Sequence, residues 1–276
     1  VSSDAMLEQM RHWYNGFCFA ANSEAVYNPF STLQLFYHQR FSNYWFESGT
    51  PSVLINLIRE RAYDVRQLAR LELDEIAFST YDLSKLQLPP LLFQTGYLTI
   101  NSYDRETRLY RLSYPNYEVE NAFSSYLLEA FSGVDDGFNA SALQQLVQAL
   151  KVGHLETFFE KLKIFFAQIP YDIQLNHEKY YQSLFYLIFR LLNLRIEAEK
   201  RTQRGRIDTV VEFPDRVYLF EFKLDGSARA AIDQINTKGY AEGYRDQGKT
   251  LHLIGVNFDT RERSVSEWLA ESIPIS

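Results

Sequence analysis

The sequence of 276 residues predicts an α+β protein with two parts, residues 1–170 and residues 171–276. Three observations favour this class. In the first part, apolar residues recur at helical spacing, and one pair of strand-like runs interrupts this pattern. After Pro170 the pattern changes to one apolar helix, three strands, a helix and a strand. The sequence contains no internal repeat.

The first part is predicted to be mainly helical, with one β-hairpin. Its helices are expected at 6–13, 31–41, 53–60, 86–96, 119–131, 141–151 and 155–166. Ser31 is the expected N-cap of the helix at 31–41, because its hydroxyl can accept a hydrogen bond from a free backbone N–H. The runs Tyr97–Tyr103 and Leu109–Tyr114 flank a short polar loop, which indicates a hairpin.

The order helix, hairpin, helix at 86–131 is compatible with a winged-helix-like module that binds DNA. The candidate recognition helix at 119–131 follows Glu118, contains Glu120 and Glu129, and has no Lys or Arg. This acidic character argues against binding in a DNA groove. A small α+β connector without a binding role is the favoured alternative.

The second part is predicted to have the order α-β-β-β-α-β. An apolar helix at 177–193 is followed by strands at 194–199, 206–212 and 217–223. Ser227 is the expected N-cap of a second helix, which continues to about residue 245 and ends at Gln247-Gly248. The apolar run at 251–257 is the expected fourth strand.

Composition and charge narrow the possible functions. The net charge of −7 excludes a strongly basic, non-specific DNA-binding protein. The single cysteine, Cys18, excludes an internal disulfide and a cysteine zinc site, and it favours a reducing, cytoplasmic location. No apolar run approaches the roughly 18 residues of a transmembrane helix, and Val1–Asp4 lacks the features of a signal peptide. We therefore expect no membrane partner.

Asp208, Glu221 and Lys223 form the constellation that indicates chemistry. Glu221 and Lys223 are two residues apart at the end of a predicted strand, so their side chains share one face. Asp208 falls beside Glu221 if its strand and the next one form a hairpin. Two carboxylates suit Mg²⁺, and a neighbouring lysine can orient water or offset charge on a phosphate. The alternative interpretation is that Glu221 and Lys223 form an ordinary surface ion pair at the end of a strand, without a catalytic role.

Six separated blocks of the second part resemble the PD-(D/E)xK nuclease superfamily over about residues 172–268. They are Tyr180-Tyr181-Gln182, Ile196-Glu197-Ala198-Glu199, Gly205-Arg206-Ile207-Asp208, Phe220-Glu221-Phe222-Lys223, Gln234 with Lys238-Gly239-Tyr240-Ala241, and Leu253-Ile254-Gly255-Val256-Asn257-Phe258. The resemblance implies a restriction-endonuclease-like domain with a mixed central sheet. Ile207 stands where the superfamily usually has proline, but the acid that carries the chemistry is present.

The resemblance also implies roles for individual residues. Asp208 and Glu221 would bind Mg²⁺ or Mn²⁺, Lys223 would be the catalytic lysine, and Gln234 would be the polar helix residue that faces the site. Glu178 and Glu199 are candidates for an additional acid. The expected nucleic-acid contacts are Arg201, Arg204, Arg206 and Tyr240, and Tyr240 is expected on the same helix as Gln234.

More closely, the sequence resembles a family of largely uncharacterised bacterial proteins in which the nuclease domain follows an AAA-ATPase-like domain. Segments 13–17, 26–31 and 44–51 are similar to the end of that ATPase-like region. The resemblance implies an upstream ATPase core, which these residues do not include, so ATP hydrolysis is not assigned to them. The first residue is not Met, as expected of a processed product or a fragment.

Two functions stay open at this point. The leading one is metal-dependent hydrolysis of phosphodiester bonds in nucleic acid, with DNA as the expected substrate. The alternative is a catalytically silent or ATPase-regulated module that contacts protein or nucleic acid. The sequence leaves open the strandedness of the substrate and the oligomeric state.

Overall fold

The computed structural model describes residues 3–48, 51–61, 63–75, 87–134, 136–170, 178–191, 195–202, 205–244 and 248–273. Within these ranges, the description covers the backbone alone at 47–48, 136–140, 195–202 and 205–206. The chain divides into two compact units, unit 1 (Val1–Tyr126) and unit 2 (Leu127–Ser276).

Unit 1 combines helices with short antiparallel strands. Its described helices are α1 (Ser3–Tyr14), α2 (Pro29–His38), α3 (Ser52–Glu60), α4 (Leu88–Gln94) and α5 (Tyr117–Ser132), which continues into unit 2, with 3₁₀ turns at Trp45–Ser48 and Val65–Ala69. Its strands are β1 (Asn15–Phe17), β2 (Val26–Tyr27), β3 (Leu71–Asp74), β4 (Thr99–Asp104) and β5 (Leu109–Ser113).

Helix α2 begins at Pro29 because Asn28, and not Ser31, caps it. The Asn28 Oδ1 accepts hydrogen bonds from the backbone N–H groups of Phe30 (3.0 Å) and Ser31 (3.3 Å). Proline is well placed at the first helical position, where an N–H would have no partner within the helix. The expectation for Ser31 is therefore wrong. Its hydroxyl instead donates to the buried carboxylate of Glu118 at 2.9 Å.

The hairpin predicted in unit 1 is present as β4 and β5. Strand β3 pairs with the free side of β5, which gives an antiparallel sheet of order β3-β5-β4. The hairpin turn is stabilised by the Asp104 Oδ1, which accepts from the backbone N–H groups of Glu106 (2.9 Å) and Thr107 (3.3 Å). The winged-helix-like character of this region stays a prediction.

Unit 2 is built around a mixed five-stranded sheet of order β10-β9-β8-β7-β6, in which β8 and β9 are parallel. Its strands are β6 (Arg195–Thr202), β7 (Gly205–Glu212), β8 (Arg216–Leu224), β9 (Thr250–Asp259) and β10 (Ser264–Ile273). Its described helices are α6 (Asp136–Val152), α7 (Leu155–Ala167), α8 (Glu178–Leu191) and α9 (Ala228–Lys238). The predicted α+β class is confirmed. Of the helices described in either unit, none is long and apolar enough to cross a membrane.

The central strand β8 is covered on both faces by helices. On one face, Phe220 and Phe222 pack against Phe185 of α8, with ring centroids 5.1 Å and 4.6 Å apart. The opposite face joins β7, β8 and β9 to α9 in a buried cluster that includes Val210, Val217, Leu219, Ile232 and Ile235. Because strand side chains alternate between faces, the series 217, 219, 221, 223 continues this second face to the end of β8.

Helix α9 begins as predicted but ends earlier. Ser227 is its N-cap, with Oγ accepting from the N–H of Ala230 at 3.1 Å. The helix ends at Lys238, because Gly239 has φ +62° and its N–H bonds back to Asn236. The expected continuation to about residue 245 is wrong, and a 3₁₀ turn, Tyr240–Tyr244, follows instead.

Strand β10 is absent from the predicted order of elements. It pairs antiparallel with β9 from Ser264 to Ile273 and forms one edge of the sheet. Val265 is its buried residue, and the other side chains are exposed or half-buried. An edge strand of this kind lacks the long apolar run by which a buried strand is identified.

The border between the compact units differs from the predicted boundary near residue 170. Helices α6 and α7 belong to unit 2, where Phe159 of α7 stacks on Trp268 of β10 with a centroid distance of 4.5 Å. The assignment of residues 1–170 to an ATPase-like remnant with a helical module, and of residues 171–276 to a nuclease-like domain, stays a prediction.

Candidate active site

Strands β7 and β8 bring two of the expected acids side by side. Their antiparallel register pairs Thr209 with Phe220, so the next residues along each strand, Asp208 and Glu221, lie opposite each other. The Asp208 Oδ2 accepts a hydrogen bond from the backbone N–H of Phe222 at 3.0 Å. Asp208 therefore links the two strands just beyond their last paired residues.

Glu221 is a buried carboxylic acid with one oxygen unpaired. Its residue is 2% exposed, and its Oε2 has no hydrogen-bond partner within the described part of the chain. Burial, followed by the negative charge of Asp208, raises the pKa of Glu221 to about 8, and the ammonium group of Lys223 only partly opposes this. A buried polar atom without a partner is costly, so this oxygen is suited to receive a cation.

Lys223 and Gln234 complete a closed polar network with Glu221. The Lys223 Nζ donates to Gln234 Oε1 at 2.7 Å and lies 3.7 Å from Glu221 Oε1. The Gln234 Nε2 donates to the same Glu221 oxygen. From α9, Gln234 thus contacts both Lys223 and Glu221, and its role at the site stays a prediction of the resemblance. The Lys223 side chain is 26% exposed.

The donor set at this position fits a divalent cation. Asp208 and Glu221 offer carboxylate oxygens, and Glu221 Oε2 is the atom that lacks a partner. The described residues contain no group of three or more His, Cys, Asp or Glu side chains arranged around a metal position. Magnesium needs no such cage, because it commonly binds through one or two carboxylates and keeps several waters.

The two candidates for an additional acid differ in their placement. Glu178 is exposed in the first turn of α8, where its Oε1 accepts from Gln182 Nε2 at 2.9 Å. Its charge adds to the causes that raise the pKa of Glu221, which places it within electrostatic reach of the site. Glu199 lies on β6 between Ala198 and Lys200, which pair with Thr209 and Ile207, so its backbone is opposite Asp208. The roles of Glu178 and Glu199 as additional acids stay predictions.

The nucleic-acid contacts expected of Arg201, Arg204 and Arg206 stay predictions, because the description of Arg201 and Arg206 covers the backbone alone. Arg201 and Arg206 pair with each other across the β6–β7 hairpin, and Arg204 lies outside the described residues. Because β7 begins at Gly205, this hairpin end is at the same end of the sheet as Asp208. Tyr240 follows α9 and is 2% exposed within the core cluster, so a contact between its ring and nucleic acid is not supported.

Sequence reasoning missed one polar residue that adjoins the site. Asn257 is 6% exposed in β9 and pairs with Lys223 in the parallel register. Its signal in the sequence is a single amide within the apolar run of β9, from Leu251 to Phe258. A buried amide in such a run requires hydrogen-bond partners, and those partners are visible only in the structure.

Residues 176–268 match the model of the PD-(D/E)XK nuclease superfamily. The matched segment includes Asp208, Glu221, Lys223 and Gln234, and it extends from the start of α8 into β10. The mixed sheet with helices on both faces is consistent with this fold. The match suggests nuclease activity for this region and, with it, a nucleic-acid substrate and a divalent metal.

The chain is also similar to an uncharacterised protein in the vnfD 5′ region of Azotobacter chroococcum mcd 1. The two are 38% identical over 277 residues, which covers 96% of this chain and 53% of that protein. The chain thus spans about half the length of this relative. The link to a family with an AAA-ATPase-like domain stays a prediction.

Proposed function

We propose that unit 2 is a metal-dependent phosphodiesterase that hydrolyses nucleic acid, with DNA as the substrate. The observation that carries this proposal is the buried Glu221, whose Oε2 has no described partner, beside the second acid Asp208. Structural ion pairs seldom leave a buried carboxylate oxygen unpaired, because no other interaction offsets the free-energy cost of removing that oxygen from water. A cation held by Glu221 and Asp208 would supply the missing partner.

Asp208 and Glu221 are the proposed metal ligands. When bound, a divalent cation there polarises the scissile phosphate and lowers the pKa of a coordinated water. The protein contributes the geometry, because Asp208 is held by the N–H of Phe222 and Glu221 by the amide of Gln234. Both ligands lie on adjacent strands, which is a more rigid support than a loop.

Lys223 is the proposed catalytic lysine. Its ammonium group is near Glu221 Oε1 but still partly exposed, so it can contact a substrate phosphate from the solvent side. A positive charge in this position offsets negative charge that develops on the phosphate, and it can orient the attacking water. Gln234 limits the motion of Lys223 through the 2.7 Å hydrogen bond.

The proposed substrate path crosses the end of the sheet where β7 begins and β8 ends. The β6–β7 hairpin, which carries Arg201 and Arg206, extends beyond Asp208 at this end. We assign the arginines of this hairpin to phosphate contacts, which position a nucleic acid without reading its sequence. The net charge of the whole chain, −7, makes such local basic groups more important for binding.

Cleavage assays with a matched set of variants test the proposal. Asp208→Asn keeps an oxygen that can accept from Phe222 N–H but loses the negative charge, so it separates metal binding from strand structure. Lys223→Gln removes the ammonium group. Asp233→Asn, an exposed substitution of the same type on α9, is the control. Each protein is incubated with supercoiled plasmid, single-stranded DNA or single-stranded RNA, in Mg²⁺, Mn²⁺ or EDTA.

We expect the wild type and the control to cleave DNA with Mg²⁺ or Mn²⁺ and not with EDTA. Asp208→Asn and Lys223→Gln should lower the rate by more than about 100-fold, since even groups that only support metal ligands contribute about 10–100-fold. Cleavage that survives in Asp208→Asn would refute the assignment. If the wild type binds metal but cleaves nothing, the catalytically silent or ATPase-regulated module becomes the better account.

A further inference from the structure

The β9–β10 hairpin holds the segment that joins Lys223 to α9. Of this segment, residues 225–228, the hairpin binds Asp225, Gly226 and Ala228. The Asp225 N–H donates to Phe258 O at 2.8 Å, and the Asp225 carboxylate accepts from the N–H and hydroxyl of Thr260, both at 2.8 Å. Strand β10 was not expected from the sequence, and here it contacts the start of α9.

Asn257 is the central anchor of this segment. Its Oδ1 accepts from the N–H of Gly226 at 2.8 Å, and its Nδ2 donates to Ser266 Oγ of β10 at 2.9 Å. With both ends of the amide bonded in a buried position, the side chain has one stable orientation. Gly226 is exposed, but a Cβ there would lie 3.2 Å from the Cβ of Lys223, so a larger residue would crowd the turn.

The start of α9 is fixed by the same hairpin. The N–H of Ala228 donates to Glu267 Oε2 of β10 at 2.9 Å. Gly255 allows this close approach, because a Cβ on it would lie 2.2 Å from the carbonyl oxygen of Ala228. Helix α9 therefore rests directly on β9, and it carries Gln234 to Lys223 and Glu221.

We propose that Asn257 is a positioning residue for Lys223 and Gln234. By holding Gly226, it fixes the turn directly after Lys223 and the direction in which α9 leaves the sheet. Asp208 and Glu221 lie on β7 and β8, and Asn257 reaches Glu221 only indirectly, through the hydrogen bond of Gln234. Its loss should therefore lower the catalytic rate more than the metal affinity. This inference rests on the proposed nuclease function and adds a residue to the same site.

Two substitutions and one control test this role. Asn257→Ala removes the acceptor for Gly226, whereas Asn257→Asp retains it, and the Ser266 hydroxyl can turn to donate to the new carboxylate. Asn236→Ala is the control, because it removes an exposed amide on α9 whose 3.4 Å bond to Glu271 of β10 lies away from Gly226. For each protein we would measure kcat and KM for DNA, Mn²⁺ affinity, the melting temperature, and amide hydrogen exchange at Gly226 in the metal-free state.

We expect Asn257→Ala to lower kcat by about 10–100-fold, the range for groups that orient functional residues, and to lower Mn²⁺ affinity by a smaller factor than kcat. Exchange at Gly226 should accelerate, and Asn257→Asp should recover most of the rate. Unchanged kcat would overturn the inference, and so would a parallel loss of Mn²⁺ affinity and melting temperature. Wild-type protein without any cleavage would refute the proposed function, whereas unaccelerated exchange at Gly226 would refute the anchor alone.

Discussion

Replacing Glu221 by glutamine should stabilise the metal-free protein at neutral pH while it abolishes metal binding. The pKa of Glu221 is raised from 4.5 to about 8 by burial and by Asp208. Between these two pH values the folded protein keeps the proton, whereas the unfolded chain loses it. The stabilisation that protonated Glu221 contributes to the folded state is therefore fully present below pH 4.5 and is lost as the pH rises through 8.

The size of the effect follows from the two pKa values. One pKa unit corresponds to about 1.4 kcal/mol, so full ionisation of Glu221 in the fold costs roughly 5 kcal/mol. Between pH 5 and pH 7 the wild type should lose about 2–3 kcal/mol from this residue alone. Glutamine at position 221 carries no charge and removes this pH dependence.

Differential scanning calorimetry in EDTA at pH 5, 6 and 7 measures the effect. For a unit of 150 residues, each kcal/mol changes the melting temperature by about 2–4 °C. The melting temperature of Glu221→Gln, relative to wild type, should therefore rise by about 5–10 °C from pH 5 to pH 7. Glu262→Gln, in the exposed turn after β9, is the control and should follow the wild type.

Parallel melting curves for wild type and Glu221→Gln across this pH range would refute the reasoning. That result would mean that Glu221 ionises in the fold as easily as in the unfolded chain. Its side chain would then be hydrated, and the unpaired Oε2 would no longer point to a missing cation. Addition of Mg²⁺ at pH 7 provides an internal check, because it should raise the melting temperature of the wild type and not that of the variant.

Three further results are expected. Metal binding should release close to one proton per site at pH 7, because the proton on Glu221 must leave. Calorimetric titrations in two buffers of different ionisation enthalpy measure the number of protons released. Binding without proton release would contradict this prediction. Gln234→Ala should lower the cleavage rate at saturating metal by about 10–100-fold, and a change confined to the KM for DNA would argue for a substrate contact instead. Gly255→Ala should lower the melting temperature strongly, because the new Cβ would meet Ala228 O at 2.2 Å, whereas Gly243→Ala, with nothing within 4 Å, should not.

The arrangement of Asp208, Glu221 and Lys223 could be predicted from the sequence because it depends on local strand geometry. Side chains two residues apart on a strand share a face, so Glu221 and Lys223 were expected together. The short connection between two strands then made Asp208 a neighbour of Glu221, and the register confirms this arrangement. Gln234 was placed by the resemblance, and its contacts with Lys223 and Glu221 support that placement.

The sequence did not predict the features that depend on tertiary packing. The sequence predicts that α9 continues to about residue 245, but the left-handed conformation at Gly239 ends the helix and Tyr240 enters the core. Strand β10 is half exposed at the edge of the sheet and therefore lacks a clear apolar pattern. Asn257 is 31 residues from Gly226 in the sequence, so no local pattern could connect them.

Mn²⁺ titration of one sample, followed both by electron paramagnetic resonance and by DNA cleavage, tests the central claim most directly. The account predicts that the cleavage rate rises in proportion to bound Mn²⁺ in the wild type. It also predicts that Glu221→Gln, still folded by circular dichroism, loses both the bound metal and the cleavage. Cleavage without bound metal, or wild-type Mn²⁺ binding by Glu221→Gln, would contradict a metal site formed by Asp208 and Glu221.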